Sequence, residues 1–427
     1  MWKGESPRAV AALALLIAVV SFTLRAVQLS FPPTYYFDEV YYAFTAQTMA
    51  RGDAKAWEWW NTPPEGFAYE WTHPPLSKLL ITAGILAAGD RTLGWRLPGA
   101  LAGAAASALM FLVGRLLFRS TRWGMVVAAL FTLDLLPFVQ SRIATPEAFL
   151  YCFIPLALFC ALKFRASVKL SWLAATGGAF GLLLATKWSM LPVVAVLGAT
   201  ALLALWHAVR ARRLSALAAI FGFAGFGMLL PLVVYLLSFS VFFATGHSWE
   251  TFLELHRQMY WYHAHLTATH PYQSAWWQWP LILRTIYYYT NTDAATANVS
   301  NIYALGNPAI WWPGIVAVLS LLAQTIIAWK RAFTSWFLLA GYFLLWLPLA
   351  LSPRVMFIYH YLPASIFLIL ALVALLRDLS RSTVGQRGVL VYLAVVLLIF
   401  IYFYPIAVGT YLTPASFEER MWLPSWR

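Results

Sequence analysis

The fold class follows from long apolar runs, of which the clearest reads GVLVYLAVVLLIFIYFYPIAVGT at residues 388–410. It contains no charged side chain, and as a helix it is long enough to cross the roughly 30 Å of hydrocarbon in a bilayer. Ten similar runs precede it, at residues 9–29, 94–118, 123–140, 146–163, 170–187, 189–208, 214–244, 309–329, 333–352 and 355–377. The sequence therefore predicts an all-α polytopic membrane protein with about eleven transmembrane helices.

Composition supports the same class of protein. The chain is 62% hydrophobic and only 11% charged, and no soluble core of this length could hide that much apolar surface. Neither a Walker A loop nor a Gly-x-Gly-x-x-Gly motif after a strand occurs, so a nucleotide-binding domain is not indicated. We predict one transmembrane domain over residues 1–427.

The distribution of basic residues gives the orientation, because Lys and Arg accumulate in cytoplasmic loops. If the N-terminus lies inside, the cytoplasmic segments hold only two acids, Glu5 and Asp378. They hold sixteen bases: Lys3, Arg8, Arg115, Arg119, Arg122, Lys163, Arg165, Lys169, Arg210, Arg212, Arg213, Lys330, Arg331, Arg377, Arg381 and Arg387. The net charge of +13 is therefore explained by membrane insertion, and a nucleic-acid partner is not expected.

Two segments are too long to be turns, and this orientation places both on the extracytoplasmic side. They are residues 30–93 and residues 245–308. Within the first, the apolar stretch Leu76–Ala88 is too short to cross a bilayer and predicts a helix lying in the interface. Loops held by a rigid scaffold commonly carry function, so we expect the site here.

An adjacent acid pair, Asp38-Glu39, follows the first apolar run. Only 16 of the 427 residues are Asp or Glu, so such a pair at a membrane edge is the best candidate for chemistry. Neighbouring residues point in different directions in a helix or a strand. We therefore expect one carboxylate to react and the other to orient it.

Several cations are predicted at the same external level as the acid pair. Charges inside apolar runs are costly and are often functional, although snorkelling or structural ion pairing is the simpler alternative. These residues suit a lipid phosphate, which Arg binds with two hydrogen bonds and Lys binds as a point charge. They are Arg96, Arg142, Lys187, Arg354 and His360, with Asp134 as an acid at similar depth.

The expected chemistry follows from the location. Nucleotide-activated sugars are not generally available outside the cytoplasmic membrane, so a sugar donor would have to be linked to a lipid. A phosphate leaving group needs cations more than it needs a general acid. One carboxylate then suffices to take the proton from an acceptor hydroxyl.

Several motifs, in chain order, together resemble those of the protein O-mannosyltransferases. Besides Asp38-Glu39, they are Trp71-Thr72-His73-Pro74-Pro75-Leu76-Ser77-Lys78, Arg96-Leu97-Pro98-Gly99, Val139-Gln140-Ser141-Arg142-Ile143-Ala144, Ala185-Thr186-Lys187-Trp188-Ser189, Thr269-His270-Pro271-Tyr272 and Tyr359-His360-Tyr361-Leu362-Pro363. The resemblance implies a GT-C glycosyltransferase of the cytoplasmic membrane. Such an enzyme transfers mannose, with inversion, from a polyprenyl phosphate to Ser or Thr of exported proteins.

The resemblance also implies roles for particular residues. Asp38 is expected to be the catalytic base and Glu39 its neighbour in the site. The stretch containing His73 and Lys78 is expected to bind the donor phosphate, with Arg96 nearby. We add Arg142, Lys187, Arg354 and His360 to the donor site on depth and charge alone.

The sequence departs from the eukaryotic pattern at two places. The segment 245–308 is too short for a lumenal MIR domain, which indicates a compact bacterial member. The segment Ala144-Thr145-Pro146-Glu147 has Pro and Glu where Leu and Asp are expected, which leaves the role of Glu147 open.

Three alternatives stay open at this point. A GT-C transferase could modify a glycolipid such as lipid A, or the chain could be a flippase for lipid-linked sugars. A divalent metal could bind four imidazoles, those of His256, His263, His265 and His270, although no cofactor is indicated with certainty and the closed ligand set of a structural site is missing.

Overall fold

A computed structural model describes residues 6–327 and 333–427. Up to residue 266 the helices are α1 (Pro7–Ala26), α2 (Glu39–Ala50), α3 (Leu76–Ala88), α4 (Thr92–Phe118), α5 (Thr121–Thr132), α6 (Leu135–Gln140), α7 (Pro146–Ser167), α8 (Leu170–Thr186), α9 (Leu191–Arg210), α10 (Ala216–Gly222), α11 (Leu230–Ser238), α12 (Ser240–Ala244) and α13 (Trp249–His265). The later helices are α14 (Pro308–Ile327), α15 (Phe333–Trp346), α16 (Leu362–Leu379), α17 (Thr383–Val408) and α18 (Pro414–Glu418).

Nine helical stretches within the described residues are long and apolar enough to cross a membrane. They are Pro7–Ala26, Thr92–Phe118, Pro146–Ser167, Trp188–Arg210, Ala216–Ser238, Pro308–Ile327, Phe333–Leu351, Ile358–Leu379 and Thr383–Val408. A multi-pass membrane protein is therefore confirmed, whereas the count of eleven spans stays a prediction. The last residues of the predicted span 309–329, together with Lys3, Glu5, Lys330 and Arg331, lie outside the described residues.

The predicted span 123–140 is interrupted, because α5 ends at Thr132 and α6 begins at Leu135. Asp134 lies in the interruption and is fully buried. Its carboxylate accepts hydrogen bonds from the backbone N–H of Asn307, at 3.0 Å, and from the indole N–H of Trp311, at 2.9 Å. A buried carboxylate needs such donors, so Asp134 ties this break to the start of α14.

The predicted seventh run, 214–244, consists of several helical pieces. Between α10 and α11 the backbone forms a π-helical segment, Phe223–Leu229, and α12 follows as a separate short helix. Pro231 in the first turn of α11 has no backbone N–H to continue the α-helical ladder. Local π-helical adjustment is one way in which membrane helices accommodate a proline.

The chain divides into two compact units. Pro33–Ala102 and Ser141–Leu266 form the first, which we call the acid-pair unit because it contains Asp38-Glu39. Gly103–Gln140, Thr267–Arg427 and the N-terminal segment up to Pro32 form the second, which we call the sheet unit. The grouping of 1–427 as one transmembrane domain stays a prediction.

The sheet unit contains a small antiparallel sheet of three strands, β1 (Ile286–Thr292), β2 (Val299–Ala304) and β3 (Tyr411–Leu412), in the order β1-β2-β3. Ile286 pairs with Ala304, and Val299 pairs with Leu412. The sequence analysis did not anticipate this sheet, although Tyr287-Tyr288-Tyr289 is a typical strand composition. The fold is otherwise helical, as predicted.

In the acid-pair unit, α2 packs along α3 through the buried side chains of Tyr42, Ala46, Ile81 and Ile85. The helix α3 has the bounds predicted from sequence, since Pro75 precedes it and a left-handed Gly89, with φ of 92°, ends it. A side chain at Gly84 would lie 2.3 Å from Cγ of Pro98 and 2.5 Å from the carbonyl oxygen of Gly94. Glycine at this position therefore permits the close approach of α3 to α4.

Candidate active site

The acid pair lies at the start of α2. Phe37, just before it, has a left-handed backbone with φ of 49°, a conformation that costs about 1–2 kcal/mol in a bulky residue. Asp38 follows as the residue that begins the helix, and its backbone carbonyl accepts the N–H groups of Tyr41 and Tyr42. Asp38 is partly exposed, whereas Glu39, the first residue of α2, is fully buried.

Glu39 forms a closed ion pair with Arg96 on α4. The guanidinium donates from Nε to Oε1 and from Nη2 to Oε2, each at 2.8 Å, and neither side chain has exposed surface. Ala144 N–H also donates to Glu39, at 3.2 Å, and Arg96 donates to the carbonyl of Thr34, at 2.9 Å. The pair therefore fixes the backbone on both sides of Asp38.

This burial bears on one expectation from the sequence. The sequence predicts that Arg96 contacts the donor phosphate and that Glu39 is catalytic together with Asp38. Both side chains are enclosed and paired with each other, and a catalytic role for Glu39 and a donor contact for Arg96 stay predictions. Their geometry is that of positioning residues.

The Asp38 carboxylate accepts no hydrogen bond from any described residue, unlike the buried carboxylates of Glu39, Glu70 and Glu147. The charges that act on it are those of Glu147, Lys187 and Glu70. Loss of water around the carboxylate is the largest cause that raises the pKa of Asp38, to about 7, and Glu147 and Glu70 add to it while Lys187 opposes it. A partly exposed, unpaired carboxylate with this pKa is suited to accept a proton near neutral pH.

Glu147 and Lys187 form the second ion pair of the site. Lys187 Nζ lies 2.7 Å from Glu147 Oε1, and their side chains are 14% and 7% exposed. Glu147 occupies the first turn of α7 and Lys187 ends α8, so each charge lies at the helix end that stabilises it. The role of Glu147 that the sequence left open is thus a charge partner of Lys187 beside Asp38.

A third cluster joins His73 and Lys78 to an acid that the sequence analysis missed, Glu70. His73 Nδ1 lies 2.8 Å from Glu70 Oε1, and Lys78 Nζ lies 2.6 Å from Glu70 Oε2. Lys78 also donates to the backbone carbonyl of His73, at 2.8 Å. The available signal was an acid three residues before His73 in a stretch with few other charges. Lys78 is buried in this cluster, and its contact with a donor phosphate stays a prediction.

The helix α13, from the second long segment, packs on the loop that carries His73. His263 Nε2 lies 2.8 Å from the carbonyl oxygen of Thr72, and its ring lies 4.9 Å from the ring of His73. The ring of Tyr262, the residue before His263 on α13, lies 5.6 Å from the ring of Trp71. The two long segments therefore meet in the acid-pair unit.

The remaining predicted residues are placed as follows. Arg142 is buried in the acid-pair unit, and its backbone carbonyl lies 3.4 Å from the hydroxyl of Tyr36. His360 lies in the sheet unit with its ring against that of Trp279, and Arg354 belongs to the same unit. Their participation in a donor site, like that of Arg142, stays a prediction.

The four imidazoles considered as metal ligands have partners of other kinds. His256 lies 2.7 Å from the hydroxyl of Tyr235, and His265 Nδ1 lies 2.9 Å from the carbonyl of Trp261. His270 Nδ1 accepts the backbone N–H of Tyr272. In the described part of the chain, no group of three or more His, Cys, Asp or Glu side chains has a metal-binding arrangement.

Comparison with known proteins bears on the whole chain. Residues 15–247 match the profile of dolichyl-phosphate-mannose-protein mannosyltransferase, and residues 248–426 match the C-terminal four TMM region of protein-O-mannosyltransferase. The chain belongs to this mannosyltransferase family. The expected family is therefore confirmed over nearly the full sequence.

Bacterial mannosyltransferases are similar along their whole length. The polyprenol-phosphate-mannose--protein mannosyltransferase of Mycolicibacterium smegmatis is 28% identical over 97% of this chain and 93% of its own length. The Mycobacterium tuberculosis protein of the same name is also 28% identical, over 98% and 91%. Dolichyl-phosphate-mannose--protein mannosyltransferase 1 of Saccharomyces cerevisiae is 30% identical, but over 41% of this chain and 23% of its own length.

Solved structures confirm the GT-C fold of this mannosyltransferase. The S. cerevisiae protein O-mannosyltransferase Pmt1-Pmt2 complex bound to the sugar donor matches with a TM-score of 0.85, at 16% identity, over 100% of this chain and 93% of that chain. ArnT from Cupriavidus metallidurans bound to undecaprenyl phosphate matches less well, with a TM-score of 0.57 at 17% identity, over 92% and 64%. At these identities the matches establish the fold, and the chemistry has to be argued from the site.

Proposed function

We propose that this protein transfers mannose from a polyprenyl phosphate to Ser or Thr hydroxyls of exported proteins, with inversion at the sugar carbon. The names of its full-length bacterial relatives support this donor and this class of acceptor. The observation that carries the proposal is the carboxylate of Asp38, which is partly exposed, unpaired among the described residues and surrounded by charged groups that are paired with one another.

In the proposed reaction, Asp38 takes the proton of the acceptor hydroxyl. The hydroxyl oxygen forms a bond to C1 of mannose, and the bond from C1 to the phosphate oxygen breaks with its electron pair on the phosphate. The products are the mannosylated protein and polyprenyl phosphate, and the proton ends on Asp38. No general acid is needed, because the phosphate leaves as an anion.

The cations have different roles in this scheme. Lys187 is the cation that acts on Asp38 and retains some exposed surface, so we propose it as the first contact of the departing phosphate. Arg142, Arg354 and His360 are proposed as further donor contacts. Glu39 and Arg96 are proposed to hold Asp38 in place through their ion pair.

The reaction is proposed to occur on the extracytoplasmic side of the cytoplasmic membrane. The excess of Lys and Arg in the alternate short loops supports this orientation. A lipid-linked donor also reaches such a site through the bilayer without any soluble nucleotide.

The proposal is tested with the purified chain, one defined polyprenyl phosphate mannose and a Thr-rich peptide, followed by mass spectrometry. We expect one hexose to be added to the peptide, and we expect Asp38→Asn to lower the rate by at least about 100-fold. Asp53→Asn is the matched control, because Asp53 caps a short helical turn in the same loop and Asn also caps helices. Equal activity of Asp38→Asn and the control would refute the role of Asp38.

The same assay discriminates the rival functions. Hexose appearing on an added lipid A acceptor, with none on the peptide, would identify a glycolipid transferase. Transfer in detergent needs no sealed vesicle, so it separates an enzyme from a flippase. Movement of the donor from one leaflet of a vesicle membrane to the other, with no hexose transferred to the peptide, would refute the proposed reaction.

A further inference from the structure

The Glu70 cluster leaves one ring nitrogen of His73 open. His73 Nδ1 lies 2.8 Å from Glu70 Oε1, while Nε2 has no hydrogen-bond partner among the described residues. The side chain of His73 is 13% exposed, so a ligand can reach it. The question is whether Nε2 is a donor, which would suit a phosphate, or an acceptor, which would suit a hydroxyl.

The carboxylate of Glu70 settles the tautomer. Burial by itself would raise the pKa of Glu70, but Lys78, at 2.6 Å, and His73 together hold it well below its ordinary value. The hydroxyls of Thr72 and Tyr42 also lie near Nδ1, at 3.0 and 3.2 Å, but the carboxylate is the shortest contact, at 2.8 Å. An ionised carboxylate has lone pairs and no hydrogen, so the ring nitrogen supplies the hydrogen of that contact. His73 is therefore protonated on Nδ1.

The ring is also kept neutral. Burial is the largest cause that lowers the pKa of His73; Glu70 opposes it, whereas Lys187 and Lys78 reinforce it. A neutral imidazole with its hydrogen on Nδ1 presents a lone pair at Nε2. Such a nitrogen repels phosphate oxygens and accepts a hydrogen bond from O–H.

We propose that Glu70 is a positioning residue that fixes His73 as the Nδ1–H tautomer, and that Nε2 of His73 accepts a hydrogen bond from a hydroxyl group of the transferred sugar or of the acceptor. This inference rests on the proposed function and deepens it. It also changes the role of His73 from a ligand of the donor phosphate to a residue that recognises a hydroxyl.

Two observations place this hydroxyl contact beside the reacting carboxylate. The charge of Glu70 acts on both His73 and Asp38, and so does the charge of Lys187. All four residues, Asp38, Glu70, His73 and Lys187, belong to the acid-pair unit. A hydroxyl bound at Nε2 therefore lies in the same unit as Asp38 and within the field of the same two charges.

The loop that carries His73 is held rigidly from three elements. Lys78 on α3 donates to the carbonyl oxygens of both Glu70 and His73. The hydroxyl of Thr45 on α2 accepts the N–H of Glu70 at 2.8 Å, and His263 on α13 bonds the carbonyl of Thr72. A buried ion pair contributes little net stability, so a cluster of this kind is better explained by preorganisation of the ring.

Binding to two ligands tests the contact. The purified full chain and His73→Ala are titrated with polyprenyl phosphate and with polyprenyl phosphate mannose. If Nε2 binds a sugar hydroxyl, His73→Ala weakens mannose donor binding about five- to tenfold and leaves polyprenyl phosphate binding within about twofold. If the hydroxyl belongs to the acceptor, donor binding is unchanged and the peptide KM rises by a similar factor.

Two results would overturn the contact. Equal weakening of both ligands would show that His73 binds the phosphate. No change in donor affinity and none in peptide KM would show that His73 binds neither hydroxyl. If the unmodified chain binds both ligands but transfers no hexose, the proposed function is refuted instead. Failure of the His73 contact and failure of the proposed function are therefore distinguishable.

The tautomer is measured directly by nitrogen NMR of the chain labelled with ¹⁵N-histidine, with His73→Ala identifying the His73 signals. We expect a protonated Nδ1 and a pyridine-type Nε2 in the unmodified protein. Glu70→Asp should retain this pattern, and Glu65→Gln, which changes an exposed acid of the same loop, should not alter it. A protonated Nε2 in the unmodified protein overturns the proposal without any variant at Glu70.

Discussion

The ion pair beside Asp38 gives a prediction with a defined sign. The charge of Glu147 helps to raise the pKa of Asp38 to about 7, and the charge of Lys187 lowers it. Glu147→Gln removes the negative charge and keeps the size of the side chain. The substitution should therefore lower the pKa of Asp38. A larger fraction of the molecules should then carry the ionised, proton-accepting form of Asp38 at low pH.

The size of the shift follows from Coulomb's law. Even at a separation of about 10 Å and an effective permittivity of about 20, one unit charge contributes about 1.7 kcal/mol. One pKa unit corresponds to about 1.4 kcal/mol, so we expect the pKa of Asp38 to fall by about one unit. At pH 6 the base form would rise from about a tenth to about half of the molecules, and activity at that pH should rise about fivefold relative to the plateau.

The assay is the pH dependence of kcat/KM for the peptide, because this ratio reports the free enzyme's essential base. Since the base form is the active one, the unmodified chain should gain activity as pH rises through about 7 and then level off. In Glu147→Gln the midpoint should lie near pH 6. Glu65→Gln, an exposed acid of the first long segment, is the matched control and should keep the midpoint of the unmodified chain.

The reasoning is refuted if the midpoint of Glu147→Gln stays in place or moves upward. An unchanged midpoint would mean that a group other than Asp38 titrates in the profile. An upward movement would mean that the dominant effect of Glu147 on Asp38 is favourable to the ionised form, contrary to the sign derived from the structure. The charges that shift the pKa of Asp38 are those of Glu147, Lys187 and Glu70.

Two further predictions concern stability. Glu39→Gln should lower the free energy of unfolding by about 3–5 kcal/mol, because it removes the charge that pairs with the buried Arg96. The double variant Glu39→Gln/Arg96→Met should recover much of this free energy, and thermal unfolding in detergent measures both variants. A double variant no more stable than the single one would contradict the pairing argument. Gly84→Ala should strongly lower the yield of folded protein, since its Cβ would lie 2.3 Å from Pro98 and 2.5 Å from a backbone carbonyl oxygen. Gly52→Ala is the comparison variant, because Gly52 is exposed, has open space around it and has a φ of 72°, so it measures only the cost of a left-handed backbone. Equal stability of the two variants would contradict the close-packing argument.

Much of the helical framework could be predicted because each helix is decided locally. The helix α3 begins and ends where the sequence places it, since an apolar run is bounded by Pro75 and Gly89. The span 123–140 could not be predicted as two pieces, because the partners of Asp134 come from residues more than 170 positions later. The small sheet escaped prediction for a similar reason, since β3 pairs with β2 from a distant part of the chain.

Part of the candidate site can be anticipated from the sequence. Asp38 stands out in a sequence with few acids, and the structure leaves its carboxylate open among the described residues. The sequence could not show that Glu39 is enclosed by Arg96, which lies 57 residues later. Nor did it reveal Glu70, whose importance depends on its contacts with His73 and Lys78.

Sequence alone is enough to identify a multi-pass membrane protein of one glycosyltransferase family and to single out the acid pair Asp38-Glu39. Those properties depend on the transfer free energy of short runs and on local motifs, which add along the chain. Which charges are paired, and which carboxylate is left without a partner among the described residues, depends on the packing of the folded chain. A buried charge must find a partner of opposite sign, and that partner, as for Glu147 and Lys187 across 40 residues, is chosen by how the helices pack.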